Sequence, residues 1–103
     1  MATSKEYLDF VLEQLSVLSD VSYRPMMGEY VIYYRGKVIG GIYDDRFLLK
    51  QTPSVLKMLP DAPYEIPYEG AKKMVLPDVD DRETLCAVIE AMEKELPEPK
   101  KKK

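Results

Sequence analysis

Residues 21–50 constrain the fold more than any other part of this chain. Their apolar pattern has period two and is rich in Val, Ile and Tyr, and the breaks are Gly28, Arg35-Gly36 and Asp44-Asp45. Parallel neighbours would need crossovers of about a dozen residues or more, so connections this short force antiparallel pairing. The expected meander has three full members, Glu29–Tyr34, Lys37–Tyr43 and Arg46–Lys50. A short run, Val21–Met26, precedes them, and Pro25, which cannot donate to a ladder, either ends that run or keeps it at a sheet edge. Arg35-Gly36 reads as a tight hairpin connection in which glycine supplies positive φ.

Amphipathic segments flank the meander. Thr3 and Glu6 have capping-box spacing, which predicts a helix starting near Ser4. Leu8, Val11, Leu12, Leu15 and Leu18 then recur on one face, and Ser19-Asp20 ends the pattern. Asp80 and Glu83 repeat the box ahead of Leu85, Val88, Ile89, Met92 and Leu96, predicting a last helix that runs to about Leu96, before Pro97 and Pro99. Between these, Thr52-Pro53 opens a short helix with Val55, Leu56 and Leu59 on its apolar face and Pro60 as its stop. Residues 61–70 read as a loop with a brief strand at Tyr64–Ile66, and Ala71–Leu76 reads as a strand ended by Pro77. The order α-β-β-β-α-β-β-α defines an α+β fold, a two-layer sandwich of an antiparallel sheet with helices on one face. At 103 residues the chain can bury about 60–70% of its unfolded surface, which suits a single domain over residues 1–97 with a disordered, Lys-rich tail over 98–103.

Composition removes many chemistries. With no histidine, the usual general base, the Ser-His-Asp and Cys-His nucleophile systems and the commonest transition-metal ligand are all missing. Cys86, the single cysteine, lies in the last helix beside Leu85, where it reads as a packing thiol, and a lone thiol cannot form an internal disulfide. Asp44-Asp45 fits a hairpin turn, while Asp78, Asp80 and Asp81 fit a helix start and lack the glycine and distal glutamate of a calcium loop. Gly40-Gly41 sits within a strand pattern and not between a strand and a helix, so it marks a bulge or close backbone approach and not a phosphate loop. No cofactor is expected.

Formal net charge is −3, and without Lys100 to Lys103 there are 11 basic residues against 18 acidic. An acidic body argues against direct nucleic-acid binding unless the basic groups are strongly segregated. No apolar run reaches the ~18–20 residues of a membrane helix, and no apolar signal core follows Met1-Ala2-Thr3-Ser4, so a cytoplasmic location is expected. Of the eight tyrosines, Tyr23, Tyr30, Tyr33, Tyr34 and Tyr43 fall in the meander region. Alternation places Tyr30, Ile32 and Tyr34 on one face and Val31 and Tyr33 on the other. Such a set is either ordinary strand composition or an aromatic surface for a protein partner.

The run Tyr23-Arg24-Pro25-Met26-Met27-Gly28, followed by Tyr30, Tyr33, Gly36-Lys37, Asp44-Asp45-Arg46 and Phe47-Leu48-Leu49-Lys50, resembles the N-terminal domain of TfoX/Sxy competence regulators. The resemblance extends from the first helix to Leu96. It implies a secretion-chaperone-like α+β fold and a cytoplasmic bacterial regulator, in a family whose longer members carry a second, helical domain and are thought to act with the cyclic-AMP receptor protein. The family's usual Phe-Gly-Gly is Met27-Gly28-Glu29 here. The expectation is therefore a non-catalytic regulatory or adaptor domain working through protein contacts. Its partner would be another protein such as a transcription factor, or a second copy in a homodimer. The candidate partner-binding residues are Arg24, Met26, Met27, Gly28, Tyr30 and Tyr33. Arg24 has two readings, an ion pair with an acid such as Glu29 or a contact to the partner. The alternative function is a small-ligand-binding module in which Gly40 and Gly41 permit close approach.

Overall fold

The computed structural model describes residues 3–96, so Pro97 and the Lys-rich tail at 98–103 lie outside the described residues. The elements run α1 (Lys5–Gln14), β1 (Val21–Met26), β2 (Glu29–Tyr34), β3 (Lys37–Ile42), β4 (Phe47–Leu49), α2 (Pro53–Met58), β5 (Tyr64–Glu65), β6 (Met74–Val75) and α3 (Arg82–Glu93). All six strands form one antiparallel sheet in the order β1-β2-β3-β4-β6-β5. The α+β class is as expected, with four strands in the meander instead of three. Val21–Met26 pairs with β2 along its whole length, and Pro25 is tolerated because β1 is an edge strand.

Three two-residue turns close the meander, Met27-Gly28, Arg35-Gly36 and Asp44-Asp45, and every residue in them has positive φ. That conformation matches the strands' right-handed twist. At Gly28 and Gly36 it costs little, whereas Met27, Arg35 and the two aspartates adopt it against steric preference. The β3–β4 turn is held from outside. The Thr3 hydroxyl donates to Glu29 (2.6 Å), the Asp44 amide donates to the same carboxylate oxygen (3.0 Å), and the Ser4 amide donates to the Asp45 side chain (2.9 Å). Thr3 also donates its own amide to the Gly28 carbonyl (3.0 Å), so the residues before α1 tie two turns together at one end of the sheet.

Both long helices are capped one residue later than the box spacing suggests. Ser4 and not Thr3 accepts the Tyr7 amide, and Asp81 and not Asp80 accepts that of Thr84. Thr3 is instead drawn into the turn network, and Asp78 accepts the Asp80 amide (3.0 Å) in a local turn before α3. The first helix ends at Gln14 and not at Ser19. Leu15 and Leu18 still reach the core through irregular turns, so the apolar spacing outlasts the helix. The last helix likewise stops at Glu93, short of Leu96. Thr52 and Pro53 open α2 as expected, but Leu56 points to solvent. Of the expected Tyr64–Ile66 and Ala71–Leu76 strands, only two residues each are paired.

The helices cover one face of the sheet. Leu8, Val11, Leu15, Val55, Leu85, Val88, Ile89 and Met92 meet Ile32, Tyr34, Ile42, Phe47, Leu49 and Val75 in one apolar cluster; burying each such side chain is worth about 1.5–3 kcal/mol. A β-bulge at Ile39, where Ile32 pairs with Gly40 but Tyr33 pairs with Val38, turns an additional isoleucine into that cluster. At the rim, the buried Lys37 ammonium donates to the Glu93 carbonyl (2.8 Å) and pairs with its carboxylate (3.0 Å), closing the C-terminal end of α3.

Candidate functional site

The helix-free face of the sheet carries the features that could bind. Antiparallel register places Ser22, Arg24 and Met26 of β1, Val31 and Tyr33 of β2, Val38 and Gly41 of β3, Leu48 of β4 and Met74 of β6 on this side. Toward β4 the face is sealed. Gly41 has no Cβ, and the Tyr43 ring folds into the space, with its hydroxyl 2.7 Å from where a Cβ would stand. Tyr68, from the loop after β5, then packs edge-on against Tyr43 at 6.0 Å. Leu48 is consequently 0% exposed although it lies outside the main cluster. Gly40 meets a different need, since a Cβ there would collide with the backbone carbonyl of Leu48. Bulge and close approach thus both account for Gly40-Gly41; the Tyr43 ring fills the space above Gly41, whereas Gly40 lines an open cleft.

Toward β1 the same face is open. Arg24 lies over the Tyr33 ring, 5.9 Å from its centroid, in a cation–π contact. Of the two readings of Arg24, the ion pair with Glu29 does not form: Glu29 accepts from Thr3 and Asp44, and among the described residues no carboxylate pairs with Arg24. Met26 is exposed beside it. At the hairpin tip Met27 is 97% exposed with φ of 52°, an apolar side chain held out by a backbone conformation that methionine disfavours.

The six residues singled out from sequence therefore divide. Arg24, Met26 and Tyr33 share the helix-free face, and Met27-Gly28 form the tip. Tyr30 points the other way, against Tyr23 (5.7 Å, edge-on) and the helix-side core. Sequence reading missed the basic side of this face. A cleft of about 820 Å³ lies between the meander and the 67–74 segment, bordered by Val38, Tyr43, Lys50, Tyr68, Lys72 and Lys73. Its lysines come from two places in the chain, so no local motif announces it.

Other titratable groups serve the fold. Burial pushes the Cys86 thiol above its ordinary pKa, with Arg82 opposing, so the thiol is not primed for nucleophilic attack. Burial likewise raises Tyr7 and Tyr43, the latter further raised by Tyr68 and Glu29. Among the described residues no group of three His, Cys, Asp or Glu side chains is placed to hold a metal ion. No helix among them is long and apolar enough to cross a membrane.

The described residues thus form an α+β fold, a helix-backed antiparallel sheet with one hairpin face left open. Residues 13–92 match the TfoX N-terminal domain, and the chain belongs to that family. It is also similar to an uncharacterized 12.7 kDa protein in the trpE 5′ region of Spirochaeta aurantia, 32% identical across 100% of this chain and 91% of that protein. No solved structure matches it.

Proposed function

We propose that this TfoX-type regulatory domain is a non-catalytic adaptor that docks a protein partner on the open half of its helix-free face, through Arg24, Met26, Met27 and Tyr33. The observation that carries this reading is the concentration there of an exposed methionine tip and a stacked Arg–Tyr pair, residue types enriched where proteins meet. The strain at Met27 supports it, because a disfavoured backbone that projects an apolar side chain has no evident use in the core. By family likeness the partner is a component of transcriptional regulation in the bacterial cytoplasm. Tyr30 and Gly28 hold the hairpin's shape and make no direct contact in this reading.

Affinity capture with the wild-type chain and with an Arg24→Ala/Tyr33→Ser variant tests the proposal, alongside light scattering of both proteins. The expected result is a defined protein partner retained by the wild type and lost by the variant, which stays folded with a thermal midpoint lowered by no more than about 4–8 °C. A wild-type dimer that the variant breaks would identify the partner as a second copy of this chain. If the same partner is held equally by both proteins, docking does not use this face.

A further inference from the structure

We propose that the lysine-bordered cleft on the helix-free face is a groove for an acidic, extended segment of the partner protein, an inference that rests on the adaptor reading and names the chemistry its partner must offer. Three lysines, Lys50, Lys72 and Lys73, line this cleft and no aspartate or glutamate does, in a chain where acidic residues outnumber basic ones 18 to 15. Glu65, cross-strand from Met74, is neutralised by Arg46 at 2.7 Å. Positive charge is thus gathered in a concavity of an acidic molecule, where low-dielectric walls concentrate the field and attract anionic groups.

The walls decide what kind of anion fits. Lys50, Lys72 and Lys73 are all exposed, forming a rim and not the closed set of buried donors that a small anion needs. Between them lie Val38, Pro67, Met74 and the Tyr43–Tyr68 ring pair, so apolar surface lies alongside the polar groups of the lysines and Gln51. An extended peptide turns successive side chains to opposite sides, which lets carboxylates reach the lysines while alternate apolar side chains meet the apolar surface. A nucleic-acid backbone, with one charge per ~1.7 Å of duplex, needs a longer basic track than three lysines on an acidic body supply. The cleft also borders the hairpin surface. Val38 lines it and pairs directly with Tyr33, whose ring carries Arg24, so one segment can run from the lysines to the guanidinium.

The test is fluorescence anisotropy on the full chain with a labelled peptide of about ten residues alternating Glu or Asp with Leu or Phe, and in parallel with a labelled oligothymidylate of similar length. Three proteins are compared: wild type, K50A/K72A/K73A, and K5A/K57A/K94A, which removes equal charge elsewhere. The C-terminal lysines are common to all three and drop out of the comparison. The expected result is peptide binding by wild type and by K5A/K57A/K94A, weakened about tenfold or more in K50A/K72A/K73A, with equal thermal midpoints for the folded variants. Equal weakening in both triple variants, no peptide binding by wild type, or tighter binding of the oligothymidylate with the same lysine dependence would each overturn the proposal. The Arg24→Ala/Tyr33→Ser variant separates the two ideas. Peptide binding lost with the lysines but kept by the hairpin variant supports the groove even if partner capture ignores the hairpin. Partner capture that needs the hairpin while the peptide never binds leaves the adaptor reading standing and removes the groove.

Discussion

On the helix-covered face of the sheet Ile32, Tyr34, Ile42, Phe47 and Leu49 are buried, whereas on the opposite face Arg24 and Met26 are exposed, Val31 and Tyr33 are half-buried, and Gly41 and Leu48 are sealed. The covered face is closed by three helices. The other is closed at one end only, by the Tyr43 ring in the space above Gly41 and by Tyr68 above that ring. Stability therefore resides in the first face and in the sealed corner of the second, and the remaining surface contributes little to it.

The sharpest way to break this comparison is to cut the same strand on both sides. Phe47→Ala should cost about 3–5 kcal/mol and Leu48→Ala about 2–4 kcal/mol in denaturant unfolding, whereas Tyr33→Ser on the open half should cost about 1 kcal/mol. A loss at Tyr33 as large as that at Phe47 would mean that the open face is part of the core. Lys37→Met comes next. It leaves the partly buried Glu93 carboxylate and the end of α3 without their cation, and a loss of about 2–3 kcal/mol is expected from chemical denaturation. At the hairpin tip the sign reverses, since Met27→Asn relieves a left-handed methionine and should stabilise the fold by about 0.5–1 kcal/mol. The same change should weaken partner capture, and a variant that gains stability and keeps full capture would show the tip to be a bystander.

The smallest effect lies in the helical layer and depends on pH. The Ser54 hydroxyl and amide both donate to Glu95, which holds this exposed carboxyl below its usual pKa. Its folded value is below its unfolded one, so the contact's contribution is present above the unfolded glutamate pKa of about 4.3 and is lost as pH falls through the folded value. Thermal midpoints of wild type and Glu95→Gln should differ near neutrality and converge in acid. A gap that widens in acid would contradict the sign.

Much of the fold was legible because it is encoded locally. Two-residue turns leave antiparallel pairing as the only option, and the alternation of Tyr30, Ile32 and Tyr34 with Val31 and Tyr33 gave both faces of β2 correctly. What escaped depends on distant residues. Thr3 has the spacing of a helix cap, yet Glu29 and Asp44 draw it away. Tyr30 belongs to the same short motif as Arg24 but points to the opposite side of the strand. The cleft is assembled from Lys50 and Lys72–Lys73, which meet only because β4 pairs with β6 across α2. Glu29 is the anchor of the turn network, a role visible only once the N-terminal residues are seen beside it.

That anchor sets an order of assembly. The meander hairpins close over two residues each and can form as soon as their strands exist, whereas Thr3 must reach Glu29, 26 positions away, and Asp45, 42 positions away. Loop closure over such spans is slower than hairpin closure. The bonds of Thr3 and Ser4 to Asp45 therefore form after the intervening strands are in place. These bonds close only over two completed hairpins, so the N-terminal clip latches the meander after its strands have paired and ahead of the longer spans that join Gln14 to Val79 and Arg82.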